Sequence, residues 1–241
     1  MSSKAASKSP ALPAPKVAAT AKPAKIPAAK KKPRAPRSAG RPRAEEVEAR
    51  TVDLLRTAGE LFLEKGYSNV SLEMIARAAQ VATRTIYVKF GGKAGLITAL
   101  IDTKRAAYLS SMALVEDTRP VREAINDYAH KLHTLLNLPE SVALHRMVTS
   151  EAQANPELVE AFYKSGPGIT MDAVRRYLDR PDVRAQLRKD LPFEQLPTFL
   201  ANCVIGDSLS RVLGLPRKDT TKEALEARMG MFFRAVLREK T

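Results

Sequence analysis

Residues 71–97 read SLEMIARAAQVATRTIYVKFGGKAGLI, and their spacing decides the fold. Ser71 stands as an N-cap before a short periodic run at 72–79, which is two turns of helix. Gln80 and Val81 form a tight turn, and a second short helix covers 82–89 before Gly91 and Gly92 break the chain. Upstream, residues 45–65 place Val47, Leu54, Leu55, Ala58, Leu61 and Phe62 on one face of a longer helix that ends at Gly66. A supporting helix followed by two short helices across a tight turn is a helix-turn-helix, a unit whose second helix enters the major groove of DNA.

The second short helix has the side chains for that task. Ile86 and Phe90 lie four apart and face the supporting helices, which leaves Thr83, Arg84, Thr85, Tyr87 and Lys89 outward. Arg84 suits a bidentate contact to a guanine edge. Thr83 and Thr85 suit phosphate or a thymine methyl, and Tyr87 and Lys89 suit the phosphate backbone.

The contiguous stretches Phe62 to Tyr67, SLEMIARAA from Ser71 and VATRTIYVKFGGKAGLI from Val81 resemble the DNA-binding domain of the tetracycline-repressor (TetR) family of bacterial transcription regulators. The resemblance matches Ser71 and Lys93 to positions that touch phosphate from helix N-termini, Thr85 and Tyr87 to the recognition helix, and Ile75, Ala76, Ile86 and Phe90 to the domain core. Four departures bear on DNA reading: Gln80 where the family usually has Gly, Ala82 where the helix usually opens with Ser, Arg84 in place of a small residue, and Ala94 with Gly95 in place of acids. Gln80 has to enter a turn backbone that Gly adopts more easily.

Beyond residue 100 the apolar periodicity stays helical and nothing alternates long enough for strands, so the fold class is all-α. Helices are expected over 93–115, 120–136, 139–154, from an Asn155–Pro156 cap with a kink or split at Gly166, Pro167 and Gly168, then 193–213 and 220–238, with a polar connection at 180–192. The domain reading is a tail at 1–43, a DNA-binding domain at 44–100 and an effector-binding and dimerisation domain at 101–241. Several stretches of the last region resemble regulatory domains of one branch of the family. That resemblance implies an unknown small-molecule effector held by the middle helices and a homodimer built from the last two. Tyr108, Met147, Phe162 and Met171 are bulky, adaptable candidates for the effector pocket. Leu225, Met229, Phe232 and Val236 form one stripe on the last helix and are the candidate dimer interface, unless that stripe serves the subunit's own core.

Charge belongs to the tail. Of the formal +14, residues 1–43 hold +12, with 8 Lys, 4 Arg and no acid, while the remaining 198 residues set 28 bases against 26 acids. The tail also has 8 of the 16 prolines and almost no bulky apolar residue, so it is expected to stay disordered. Its Gly40-Arg41-Pro42-Arg43 segment suits the minor groove of double-stranded DNA through Arg41 and Arg43. A tail of this kind also admits a different class, an architectural, largely nonspecific nucleoid-binding protein.

Other chemistry finds little support. His130 and His133 lie near Asp127 on one helix without a further ligand to complete a metal site, and no nucleophile-base pair or phosphate-binding glycine loop is present, so neither an enzyme nor a cofactor is expected. The single Cys203 sits among apolar residues and agrees with a reducing compartment. The most apolar run, 196–206, is interrupted by Asn202 and followed by Asp207, short of a membrane span. The expectation is a cytoplasmic, nucleoid-associated, dimeric repressor that a small effector releases from a palindromic operator.

Overall fold

The computed structural model describes residues 44–109, 114–216 and 219–238. The tail with Arg41 and Arg43 lies outside the described residues. Within them the chain is helical, with one isolated antiparallel bridge between Leu187 and Leu237.

The first four helices are α1 (Ala44–Lys65), α2 (Leu72–Ala78), α3 (Thr83–Phe90) and α4 (Lys93–Tyr108). Their shared core holds Leu54, Ala58 and Phe62 of α1, Ile75 of α2, Ile86 of α3, and Leu96 and Ile97 of α4, all nearly or completely buried. The apolar spacing of α1 buries Leu54, Leu55, Ala58 and Phe62 and half-buries Leu61, but Val47, expected on the same face, is 46% exposed. The core does not end with α4, however: Met147 and Val148 of α6 (Pro139–Glu151) and Leu158 of α7 (Pro156–Ser165) complete it.

A second core is built around α5 (Val121–Asn137), α8 (Pro167–Leu178), α9 (Pro181–Arg184), α10 (Leu196–Ile205) and α12 (Lys222–Val236). Pro120 caps α5, and Pro139, Pro156, Pro167 and Pro181 each occupy a first helical turn, where the missing N–H costs nothing. The expected break at residues 166–168 separates α7 from α8 at Gly166.

Three features differ from expectation. Helix α4 stops at Tyr108, with Leu109 in extended backbone, rather than running to 115. The helix expected over 193–213 is divided into a 3-10 turn at Phe193–Gln195, α10, and α11 (Ser208–Leu213). The division comes from Gly206, whose φ of 69° and ψ of −135° suit only glycine, and from Asp207, whose carboxylate caps α11 by accepting from Ser210 N at 3.0 Å.

The third difference concerns α12. Leu225, Met229, Phe232 and Val236 were expected at a dimer interface, but each is at most 1% exposed and packs in the second core against α5 and α10. Side chains enclosed by their own chain have no surface left for a partner. Phe232 meets the rings of Phe199 and Phe233 at centroid distances of 5.3 and 5.6 Å. The apolar side chains that this end of the molecule exposes are Phe199, Leu209, Leu213, Leu215 and Met231.

Candidate functional site

Ser71 caps α2 as its sequence position implies: its backbone is extended and its hydroxyl accepts from Met74 N at 3.2 Å. The turn that follows carries the single positive φ among described non-glycine residues, 54° at Gln80. The left-handed backbone that glycine enters freely is therefore occupied here by a longer side chain, at a cost of about 1–2 kcal/mol. Val81 N still donates to Ala76 O at 2.9 Å, so the turn between the two helices closes.

Helix α3 stands on Ile86, which is fully buried, with Thr83 and Phe90 half-buried. Arg84, Thr85, Tyr87 and Lys89 are exposed. Val88, which sequence reasoning passed over, is 78% exposed and shares a face with Arg84 one turn earlier. A branched apolar side chain there suits a thymine methyl. The signal was available, because Val88 lies two residues from the buried Ile86 and therefore points away from the core. Lys89 is turned toward α1, where its ammonium donates to the Thr51 hydroxyl.

The end of α3 is pressed against the start of α4. A Cβ on Gly95 would lie 1.6 Å from the carbonyl oxygen of Phe90, so in this chain only glycine permits that approach. The departure from the family pattern at this position thus has a packing reason. Lys93 opens α4, and its ammonium donates to Tyr67 O at 2.8 Å while lying 4.3 Å from the centre of the Tyr67 ring. Burial, then the Glu157 carboxylate, pushes the Tyr67 phenol up to about 12. Ser71, Tyr87 and Lys93 all line one open cleft of about 680 Å³ that includes Gly91 and Gly92. Two phosphate-matched positions and one recognition-helix side chain therefore share a surface at the N-termini of α2 and α4, where helix dipoles favour an anion.

The loop behind that cleft is fastened from the other half of the molecule. Glu151, at the C-terminal end of α6, accepts from Tyr67 N at 2.6 Å, from Ser68 N at 2.8 Å and from the Ser68 hydroxyl at 2.6 Å. Asn155 joins the cluster through its amide, which donates to Ser68 Oγ at 2.8 Å and to Glu151 at 3.2 Å. Burial pushes the Glu151 carboxyl upward, but the Ser68 and Tyr67 donors and the Lys93 charge outweigh it and hold the group below the ordinary carboxylate range. Sequence reasoning had no means of pairing residues 84 positions apart.

Helix α6 also borders a cavity of about 190 Å³ enclosed by α4, α5, α6, α7, α8, α10 and α11. Of the residues expected to line an effector pocket, Phe162 and Met171 border this cavity. Tyr108 instead ends α4 in an exposed position, and Met147 is buried among the first core, so neither reaches the cavity wall. The wall also contains His145, whose ring stacks on Phe162 with centroids 5.9 Å apart, together with Arg105 and Arg211. Arg211 is only 4% exposed and donates to the carbonyl of Leu136. Burial, then the Arg211 charge, lowers the pKa of His145.

The remaining sequence candidates have ordinary roles. Asp127 accepts from Lys131 at 2.9 Å and from Arg119 at 3.2 Å. No group of three or more His, Cys, Asp or Glu among the described residues is arranged to hold a metal, and no described helix is long and apolar enough to cross a membrane. Cys203 is half-buried, and burial raises its thiol pKa.

Comparison with known proteins agrees with this architecture from both ends. Residues 54–100 match the model of bacterial regulatory proteins of the tetR family, and residues 123–235 match the C-terminal domain of AefR-like transcriptional repressors. The HTH-type transcriptional repressor ComR of Escherichia coli K12 is 25% identical over 179 residues, which span 72% of this chain and 83% of ComR. Among solved structures, the flavonoid-responsive regulator FrrA is 28% identical with a TM-score of 0.62, covering 80% of this chain and all of FrrA. NalD, the secondary repressor of the MexAB-OprM multidrug efflux pump in Pseudomonas aeruginosa, is 25% identical with a TM-score of 0.61, covering 80% of this chain and 99% of NalD. With a helix-turn-helix head, a helical body and family matches along both, the chain belongs to the TetR family of DNA-binding transcriptional regulators.

Proposed function

We propose that the chain is a repressor that binds a palindromic operator as a homodimer and leaves it when a small molecule occupies the cavity beside α6. The observation that carries this reading is α3 itself: Ile86 is fully buried, while Arg84, Thr85, Tyr87 and Val88 are exposed, which makes it a groove reader anchored on a core. Arg84 and Val88 read base edges. Thr83, Thr85, Tyr87, Lys89, Ser71 and Lys93 position the head on phosphate, and Arg41 and Arg43 follow the minor groove. The head is residues 44–100, the regulatory body 101–241, and the basic tail 1–43 adds attraction without sequence preference.

Dimerisation is assigned to the exposed side chains of α10 to α12, namely Phe199, Leu209, Leu213, Leu215 and Met231, because the buried stripe of α12 serves the subunit core. A symmetric pair places two α3 helices in successive major grooves. Response to a small effector is supported by the cavity and by a relative whose name describes it as flavonoid-responsive. The effector acts through α6, which touches the cavity with His145 and holds the head with Glu151. Its effect is limited to its differential affinity for the two states.

Selection of bound duplexes from a randomised pool at physiological salt tests the reading. The expected result is an enriched inverted repeat with half-sites about one helical turn apart. Binding that is tight, salt-sensitive and without any enriched sequence would replace it with the architectural nucleoid-binding function.

A further inference from the structure

We infer that the cavity beside α6 takes a compact, uncharged apolar molecule, of the size of a single ring with a small substituent. This rests on the reading of that cavity as the effector site and adds the ligand's chemical class.

The wall sets the charge. The surface that the cavity opens is almost wholly apolar, supplied by Leu132, Leu135, Leu144, Phe162, Met171 and Ile205 among others. Three cations border it, and each is engaged elsewhere. Lys104 lies 3.8 Å from Glu140, Arg105 donates to Asp102 at 3.0 Å, and Arg211 donates to the carbonyl of Leu136. What these residues offer a ligand is therefore their aliphatic stems. The His145 ring stacks on Phe162, and burial lowers its pKa, so the imidazole is neutral at pH 7. An anion would have to displace an existing partner, and a cation would meet three like charges with no Asp or Glu on the wall. Either would also exchange its hydration for a surface of carbon, a penalty that nothing on the wall offsets. A neutral apolar molecule meets no such penalty and gains by leaving water.

Volume sets the size. A cavity of about 150 Å³ lined by Leu, Ile and Phe accepts benzene, so about 190 Å³ holds one ring with a small substituent without movement of the walls. A three-ring compound exceeds it. Ile101 ties this space to the head, because it borders the cavity and belongs to the first core together with Ile97. A ring seated against Ile101 therefore acts on α4, the helix that Lys93 opens.

Calorimetric titration of the full chain at pH 7 with toluene, benzoate, benzylamine and flavone tests the inference. Toluene is expected to bind one per chain, at least about 10-fold tighter than benzoate or benzylamine, which carry opposite charges on the same ring, and flavone is expected not to bind. Ala201→Phe and Met171→Trp each fill the cavity and are expected to abolish toluene binding, read in whichever variant keeps the helical circular dichroism of the unmodified protein. The order of the four ligands on the unmodified protein needs no variant to fold. Benzoate or benzylamine binding as tightly as toluene, and lost in the filled variants, would overturn the uncharged class and leave the cavity as the effector site. Flavone binding as tightly as toluene, and lost in the same variants, would overturn the size limit alone. Binding of none of the four, or toluene binding unaffected by filling, would overturn both the class and the site.

Discussion

Replacement of Glu151 by alanine is the perturbation whose effect the structure specifies most fully. Three donors from residues 67 and 68 converge on this one carboxylate, and Asn155 adds a fourth. The donors are not equivalent. The Tyr67 amide lies in a partly buried position beneath a ring that is 1% exposed, so loss of its acceptor leaves an unpaired group at about 1–3 kcal/mol. The Ser68 amide and hydroxyl are exposed and recover most of their hydrogen bonding from water. The sum is about 2–3 kcal/mol for Glu151→Ala, concentrated in the first donor. For a folded unit of this length, that lowers the thermal midpoint by roughly 4–12 °C.

Glu151→Gln retains one acceptor oxygen and should lose about half as much. Thermal melts followed by circular dichroism at neutral pH check both values. A midpoint for Glu151→Ala within about 1 °C of the unmodified protein would refute the assignment of the clasp, as would equal losses for Gln and Ala. The same carboxylate predicts an acid response. Its pKa is held below the ordinary range in the folded chain, so its contribution is complete above the unfolded value of about 4.3 and is lost as pH falls through the lower folded value. The difference in stability between the unmodified protein and Glu151→Ala should therefore shrink on acidification below about pH 4.

Three further outcomes are expected. Arg84→Ala should cost roughly 1–3 kcal/mol on the selected operator and relax one position per half-site; a uniform loss across all positions in a randomised-operator selection would assign Arg84 to phosphate instead. Deletion of residues 2–39 removes 10 of the tail's 12 bases and should flatten the salt dependence of binding, by roughly 0.9 in the log-log slope for each engaged phosphate, while site preference survives; equal slopes in titrations at several salt concentrations would show that the tail does not engage DNA. Phe232→Ala should destabilise the fold by about 3–5 kcal/mol through a core cavity, whereas Leu209→Asp should leave the fold intact and yield monomers by light scattering; the opposite pattern would return the interface to the α12 stripe.

The helix-turn-helix was legible because its signals are local. The cap at Ser71, the four-residue spacing of Ile86 and Phe90, and the glycine pair after α3 each act within a few residues. The strain at Gln80 was legible for the same reason. The α12 stripe shows where that kind of reading stops. Periodicity reveals that Leu225, Met229, Phe232 and Val236 share a face, but what covers the face depends on α5 and α10, which are remote in sequence. The division between α10 and α11 was visible as Gly206 followed by Asp207, yet an apolar run on either side masked it. Bulk and flexibility nominated Phe162 and Met171, which border the cavity, together with Tyr108 and Met147, which lie elsewhere. The charged members of the wall, Lys104, Arg105 and Arg211, carried no local pattern that separates them from surface cations.

The continuity of the first core into α6 and α7 bears on how freely this molecule can be recombined with its relatives. A graft that exchanges residues 44–100 for another regulator's head would separate Ile97 from Met147, Val148 and Leu158, which belong to the same core, and would present Glu151 with a foreign loop. A workable chimera has to carry these body residues, or replace them together with the head. New operator specificity is more safely introduced on α3 alone, at Arg84, Thr85 and Val88, where the side chains face solvent and the scaffold beneath them is unchanged.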